Sequence, residues 1–280
     1  MNKAHAFFEL MRLDKPIGIY LLLWPALLAL IISTGGNFIY SDFLIVVIGS
    51  ILVRSAGCVI NDIWDKDLDG GVERTKLRPI PSKRVSTYES WALFLILGFL
   101  SLILLSLTNT NTIFISFCFS LLIILYPLTK RFLMGPQIFL GLTFNPTIIV
   151  YAMTDELNNS TMIFLYFAIA AMTIAFDTLY GLCDIDDDKK LGINSTPIWW
   201  GSNTLKIVAC FQSMAIFLLL IVGWQAALKF IWFLGVFFLI GFYLHQHHLA
   251  NQKKYFLAFK NNHWASFYLL MLSVLCFLII

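Results

Sequence analysis

The chain has 280 residues, 59% of them hydrophobic and only 12% charged, with a formal net charge of +3 at pH 7. Soluble domains carry roughly 25% charged residues, so a soluble enzyme is excluded and a polytopic membrane protein is expected. The small positive balance reflects loop charge and gives no sign of nucleic-acid binding.

Apolar runs follow one another near 17–33, 43–60, 91–107, 112–128, 136–153, 161–180, 203–222, 228–244 and 264–280. Several approach the ~20 residues that a spanning helix needs. The runs are continuous, not alternating, which predicts helices and not a barrel. The expectation is an all-α membrane protein of about nine spans, forming one domain over 1–280. Arg12 and Lys15 before the first run resemble the start of a signal peptide, but eight later runs favour a retained first helix. Pro16, Pro25, Pro127, Pro136 and Pro146 fall at span ends or inside spans and predict starts or kinks.

Basic residues set the orientation. They precede span one (Lys3, Arg12, Lys15), crowd the loop after span two, and follow spans four (Lys130, Arg131), six (Lys189, Lys190, Lys206) and eight (Lys253, Lys254, Lys260). The loops near 34–42, 108–111 and 154–160 have no Lys or Arg, and the next has only Lys229. The N-terminus and the long loops 61–90, 181–202 and 245–263 are therefore expected in the cytoplasm. The five cysteines are scattered without a CxxC pair, so no disulfide or zinc site is expected.

Two loops concentrate the acidic residues. Asn61-Asp62-Ile63-Trp64-Asp65-Lys66-Asp67-Leu68-Asp69 follows span two, and Asp177 through Asp188 follows span six; together they hold nine of the sixteen Asp and Glu. If the helices continue, Asp62, Asp65 and Asp69 share one face, and so do Asp177, Asp184 and Asp188 with Tyr180. Two such faces opposed would hold one or two hard cations, and Mg²⁺ is satisfied by a few carboxylates, waters and phosphate oxygens. The alternative is a solvated acidic loop. The repeated motif, each time leading into Lys or Arg, suggests two related halves facing one cavity.

Arg74, Arg78, Lys130, Arg131, Lys189 and Lys190 flank the acidic loops. They suit a diphosphate, and equally the charge bias of cytoplasmic loops. Arg78 stands out because it precedes the rigid Pro79-Ile80-Pro81. Arg54 is buried in span two about two turns from Asp62, where an unpaired charge is unfavourable by at least ~2.5 kcal/mol. It must meet an anion, either an aspartate or a substrate carboxylate. His245-Gln246-His247-His248 reads as an interfacial loop at a span end, with metal binding as the lesser alternative.

These residues resemble the UbiA superfamily of intramembrane prenyltransferases. The motif NDxxDxxxD is met by Asn61, Asp62, Asp65 and Asp69, and DxxYxxxDxxxD by Asp177, Tyr180, Asp184 and Asp188. Arg12 to Gly18, Arg54 to Cys58, Asp69 to Pro79, Tyr126 to Arg131, and Lys190 to Thr196 extend the match over about the whole chain. Within the superfamily it is closest to members that prenylate 4-hydroxybenzoate in ubiquinone synthesis. One stretch departs: after Pro136-Gln137 relatives usually carry Phe, a small residue and an aromatic, where this chain has Phe144-Asn145-Pro146. That change would alter a cavity wall or kink span five.

The resemblance implies helices around a central cavity open to lipid, in a bacterial inner membrane. It implies Mg²⁺ on Asp65, Asp69, Asp184 and Asp188, with Asp62 and Asp177 also catalytic. Arg74, Arg78, Lys130 and Lys190 would bind the diphosphate of a polyprenyl donor. Arg54 and Asn61 would bind 4-hydroxybenzoate, and Tyr126 and Tyr180 would support the cation or the phosphate. Rival readings are a related enzyme acting on haem, chlorophyllide, homogentisate or dihydroxynaphthoate, a non-catalytic lipid-binding protein, and a divalent-cation transporter. A transporter would place carboxylates near mid-membrane, whereas these sit at span ends on one side.

Overall fold

The computed structural model describes residues 3–70 and 75–278, and among them it contains helices and no strand. In chain order the helices are α1 (Lys3–Leu10), α2 (Ile17–Ser33), α3 (Tyr40–Trp64), α4 (Lys66–Asp69), α5 (Thr87–Leu105), α6 (Thr110–Thr129), α7 (Pro136–Thr143) and α8 (Thr147–Met153). They continue as α9 (Thr161–Gly181), α10 (Ile185–Leu191), α11 (Thr196–Trp200), α12 (Thr204–Gln225), α13 (Phe230–Asn251) and α14 (Tyr255–Leu278). The protein is a multi-pass membrane protein. Among the described residues six helical stretches are long and apolar enough to cross a bilayer: α3, α5, α6, α9, the α11–α12 stretch and α13. The other three apolar runs form the shorter helix α2, the broken pair α7–α8, and α14, which begins at Tyr255, well before the apolar run near 264.

Span five shows why an apolar run need not be one helix. Pro146 lacks an N–H and cannot continue α7. The freed backbone must be satisfied inside the bundle. Asn145 does this: its amide donates to the Tyr166 carbonyl at 2.8 Å and its oxygen accepts from the Thr147 N–H at 3.2 Å and hydroxyl at 2.8 Å. The Tyr166 hydroxyl donates to the Leu142 carbonyl at 2.7 Å.

Helix α9 is the central post. Two-thirds of its apolar stretch (67%) is buried, against 11% for α5, so α5 lines the lipid side and α9 the interior. Helix association in lipid relies on close packing by small residues, and α9 supplies Ala168, Ala170, Ala171 and Ala175, all buried. Helix α7 approaches it closely: a Cβ added at Gly141 would sit 2.5 Å from Ile174 Cγ1 and 2.9 Å from the Ala170 carbonyl. The largest core unites α2, α9, α12, α13 and α14. Its biggest side chain, Trp232, is fully buried, with its indole N–H donating to the Leu219 carbonyl at 2.8 Å. A separate cluster packs Ala6 and Leu10 of α1 on Val59, Ile60 and Ile63 of α3. That contact brings the N-terminal segment to the end of α3 where the first acidic motif lies.

Candidate active site

Both acidic motifs break at their middle aspartate. Helix α3 stops at Trp64, Asp65 takes φ −95°, ψ 3°, and α4 then carries Asp69. Helix α9 stops at Gly181, Asp184 takes φ −112°, ψ 5°, and α10 then carries Asp188. Each motif thus has one aspartate on the long helix, one at the bend and one on the short helix. The continuous helical faces expected from the spacing are replaced by two matched bends, in a backbone region where many active-site residues sit.

The two bends face one cavity of about 180 Å3. Its walls include Asn61, Asp65, Asp69, Arg78, Tyr126, Lys130, Asp177, Tyr180, Asp184 and Asp188. Ten residues expected at the site, drawn from helices and loops between positions 61 and 188, are therefore gathered at one cavity.

Cations and carboxylates interlock at this cavity. Asp62, 1% exposed, is gripped by Arg12 Nη2, which donates to its two oxygens at 2.9 and 2.8 Å. Arg78 Nη1 donates to Asp62 at 3.1 Å and to Asp69 at 2.7 Å. Asp65 receives the Lys130 ammonium on one oxygen, while its other oxygen is buried with no hydrogen-bond partner among the described residues. Burial pushes the Asp65 carboxyl up from its ordinary range, opposed by Lys130 and Arg78. Burial likewise raises Asp69, with Arg78 opposing. Arg131, next to Lys130 in the chain, turns the other way. Its Nη2 donates to the Trp64 carbonyl at 3.0 Å and so caps the end of α3.

The second bend is tied to the same framework. The Asn194 N–H donates to the Lys130 carbonyl at 2.9 Å, and the Gln137 side chain accepts from the Thr196 N–H at 2.8 Å. Gln137, Thr75, Asn194 and Ser195 all line the cavity. They were not expected as site residues, although Pro136-Gln137 and Ser195-Thr196 lie within the motif strings. Arg12 is the more important addition. The charge pattern reads it only as a membrane-edge cation, and its role depends on α1 docking against α3.

Not every expected residue joins the cavity. Asp62 lies behind the wall as the shared partner of Arg12 and Arg78. Lys190 is exposed and pairs with Asp187 at 3.3 Å, and it is not among the residues lining the cavity. Arg74 falls outside the described residues. Arg54 does not line the cavity. The histidine-rich stretch is helical, not an interfacial loop. It lies in α13, where Gln246 donates to Asn261 at 3.1 Å and accepts from Gln212 at 2.9 Å, and His247 bonds Gln212 at 2.9 Å.

The chemistry of the donors fits a hard divalent ion. Five carboxylates line one space and one buried oxygen lacks a donor, which is the all-oxygen set that such ions take. Among the described residues no three acidic, His or Cys side chains converge closely enough to hold an ion by themselves. Mg²⁺ does not require a protein cage, since it keeps waters and takes substrate phosphate oxygens.

Comparison with known proteins gives the same direction. The model described as the UbiA prenyltransferase family matches residues 22–270. The 4-hydroxybenzoate octaprenyltransferase of Shewanella woodyi is 38% identical over 269 residues, covering 94% of this chain and 94% of that protein. That of Psychromonas ingrahamii is 40% identical over 270 residues, covering 95% and 94%. Among solved structures, the apo structure of a UbiA homolog from Aeropyrum pernix K1 superposes with a TM-score of 0.81 at 21% identity, covering 92% of this chain and 96% of that one. A UbiA homolog from Archaeoglobus fulgidus, solved bound to GPP and Mg²⁺, superposes with a TM-score of 0.70 at 16% identity, covering 93% and 99%.

Proposed function

The chain belongs to the UbiA prenyltransferase family, and on that premise we propose that it transfers a polyprenyl group from polyprenyl diphosphate to 4-hydroxybenzoate. The new bond forms at the ring carbon ortho to the hydroxyl, giving 3-polyprenyl-4-hydroxybenzoate in ubiquinone synthesis. The observation that carries this reading is the cavity where two matched aspartate bends meet Arg78 and Lys130.

Arg78 and Lys130 neutralise the diphosphate as it departs. In the substrate-free protein each already holds a carboxylate, so the negative charge of an incoming diphosphate competes with those carboxylates for the cations. Asp65, Asp69, Asp184 and Asp188 would hold Mg²⁺, which when bound would offset the charge that grows on the leaving oxygen. Breaking the allylic C–O bond leaves a delocalised cation, which survives only where water is excluded. Tyr126 and Tyr180 in the wall present aromatic rings to such a cation. Arg54 takes the acceptor's carboxylate, with Asn61 beside it, and the electron-rich ring carbon attacks the cation. The ring proton then leaves to a base, for which the released diphosphate is one candidate.

The protein is a single integral membrane domain of a bacterial inner membrane, with its N-terminus and site loops cytoplasmic. The distribution of Lys and Arg among the loops supports this.

The test is to incubate membranes holding the protein with 4-hydroxybenzoate, polyprenyl diphosphates of several lengths and Mg²⁺, with and without EDTA. The expected result is a Mg²⁺-dependent ring-prenylated acid. Folded protein that yields no product with any donor would move the acceptor to another aromatic.

A further inference from the structure

Arg54 is half-buried in α3, yet its Nε has no hydrogen-bond partner, and among the described residues no ion pair holds its guanidinium. Two contacts locate it instead, from two other elements. The backbone of α2 presents Gly18: a Cβ built there would lie 2.5 Å from Arg54 Nε, 2.6 Å from Nη2 and 2.9 Å from Cζ. The break between α7 and α8 presents Phe144, whose ring centroid is 5.1 Å from Arg54 Cζ. A guanidinium over an aromatic face gains from the ring quadrupole without a counter-charge. The space that glycine leaves at position 18 is taken by the Arg54 guanidinium.

We propose that Gly18 and Phe144 are positioning residues that seat the Arg54 guanidinium and thereby set the enzyme's affinity for a carboxylate-bearing aromatic acceptor. Gly18 leaves room for the flat group, and Phe144 holds one face of it. Neither supplies a hydrogen-bond acceptor, so the donors of Arg54 remain available for a ligand carboxylate. Asn145, fixed by its bonds to Tyr166 and Thr147, keeps Phe144 in place. This proposal rests on the reading that Arg54 binds the acceptor's carboxylate.

The experiment measures KM for 4-hydroxybenzoate and for polyprenyl diphosphate separately in the full-length protein. The variants are Gly18→Ala, Phe144→Leu, Phe144→Tyr, Arg54→Ala and the double variant Gly18→Ala/Arg54→Ala. Gly18→Ala should raise the acceptor KM about tenfold while the donor KM changes less than about twofold, because the displaced atoms are the far end of a flexible side chain. Phe144→Leu should raise the acceptor KM by about three- to tenfold, and Phe144→Tyr should retain it. In the Arg54→Ala background, Gly18→Ala should add nothing, since residues acting through one another are non-additive.

Equal effects of Gly18→Ala in both backgrounds, or on both KM values, would overturn the proposal and make Gly18 a packing residue. A selective effect of Arg54→Ala without one from Gly18→Ala or Phe144→Leu would overturn the proposal alone and leave Arg54 as the acceptor's ligand. Equal effects of Arg54→Ala on both substrates would remove that reading and this proposal together. If Gly18→Ala does not fold, Phe144→Leu against Phe144→Tyr decides: a loss in Leu without retention in Tyr overturns the seat.

Discussion

Arg12 holds both oxygens of Asp62 across 50 residues of chain, at 2.9 and 2.8 Å. Asp62 also accepts from Arg78, which in turn holds Asp69. The first aspartate of the motif is therefore the keystone of an ion-pair chain, and its neighbours Asp65 and Asp69 are the ones that face the cavity.

Removing Arg12 leaves a carboxylate that is 1% exposed with Arg78 as its remaining cation. Breaking a buried pair from one side destabilises by about 3 kcal/mol. Arg12→Ala should lower the thermal midpoint and reduce kcat, as Arg78 is drawn from Asp69 toward Asp62. Arg12→Lys, which keeps the charge but loses the Nη1 bond to the Glu9 carbonyl, should fall between. Thermal unfolding and turnover of the purified protein check this, and an Arg12→Ala variant with unchanged stability would remove the keystone role.

Asp69→Asn and Asp184→Asn should each lower turnover by at least about a hundredfold, because either change weakens the metal set that stabilises the leaving group. Both proteins should still insert and fold, since amide and carboxylate match in size. Full turnover in folded variants would contradict the metal assignment.

Lys130 and Lys190 look alike as loop cations, but only Lys130 lines the cavity, bound to Asp65. Lys190 is exposed beside Asp187. Lys130→Ala should therefore reduce turnover by about tenfold or more, as loss of a charged partner to the diphosphate does. Lys190→Ala should stay within about twofold, as surface pairs contribute little. Side-by-side kinetics separate them, and equal losses would place Lys190 at the substrate.

The raised carboxyls of Asp65 and Asp69 have a definite pH sign. A raised pKa means that the folded protein binds these protons more tightly than the unfolded chain. Their contribution to metal-free stability is therefore greatest at acid pH and is lost as pH rises through the raised values. Mg²⁺ competes with those protons. Its stabilisation should be small when the carboxyls are protonated and should grow on going to neutral pH. Thermal midpoints with Mg²⁺ or EDTA across a pH series give the answer; a larger Mg²⁺ effect at acid pH would show that these carboxylates do not hold the ion.

Much of this was legible in the chain itself. The apolar runs predict helices because the bilayer imposes one length on every span. The aspartate motifs, their basic flanks and the buried Arg54 are local in sequence, and ten of the expected site residues meet at one cavity. The breaks at Asp65 and Asp184 were hidden, because helical spacing looks the same whether or not a helix bends between two residues. The break at Phe144-Asn145-Pro146 was marked by proline, yet what makes it tolerable is a polar bond to Tyr166 on another helix.

The sequence alone determined the class of the protein and its two acidic motifs, since hydropathy and motif spacing are local along the chain. Tertiary structure decided which charges meet. Arg12 reaches Asp62 because α1 docks on α3, and Lys130 reaches Asp65 while Lys190 stays outside. Gly18 and Phe144 close on Arg54 from two further elements. Ion pairs and ring contacts act over a few ångströms, so they are set by helix packing and not by distance along the chain.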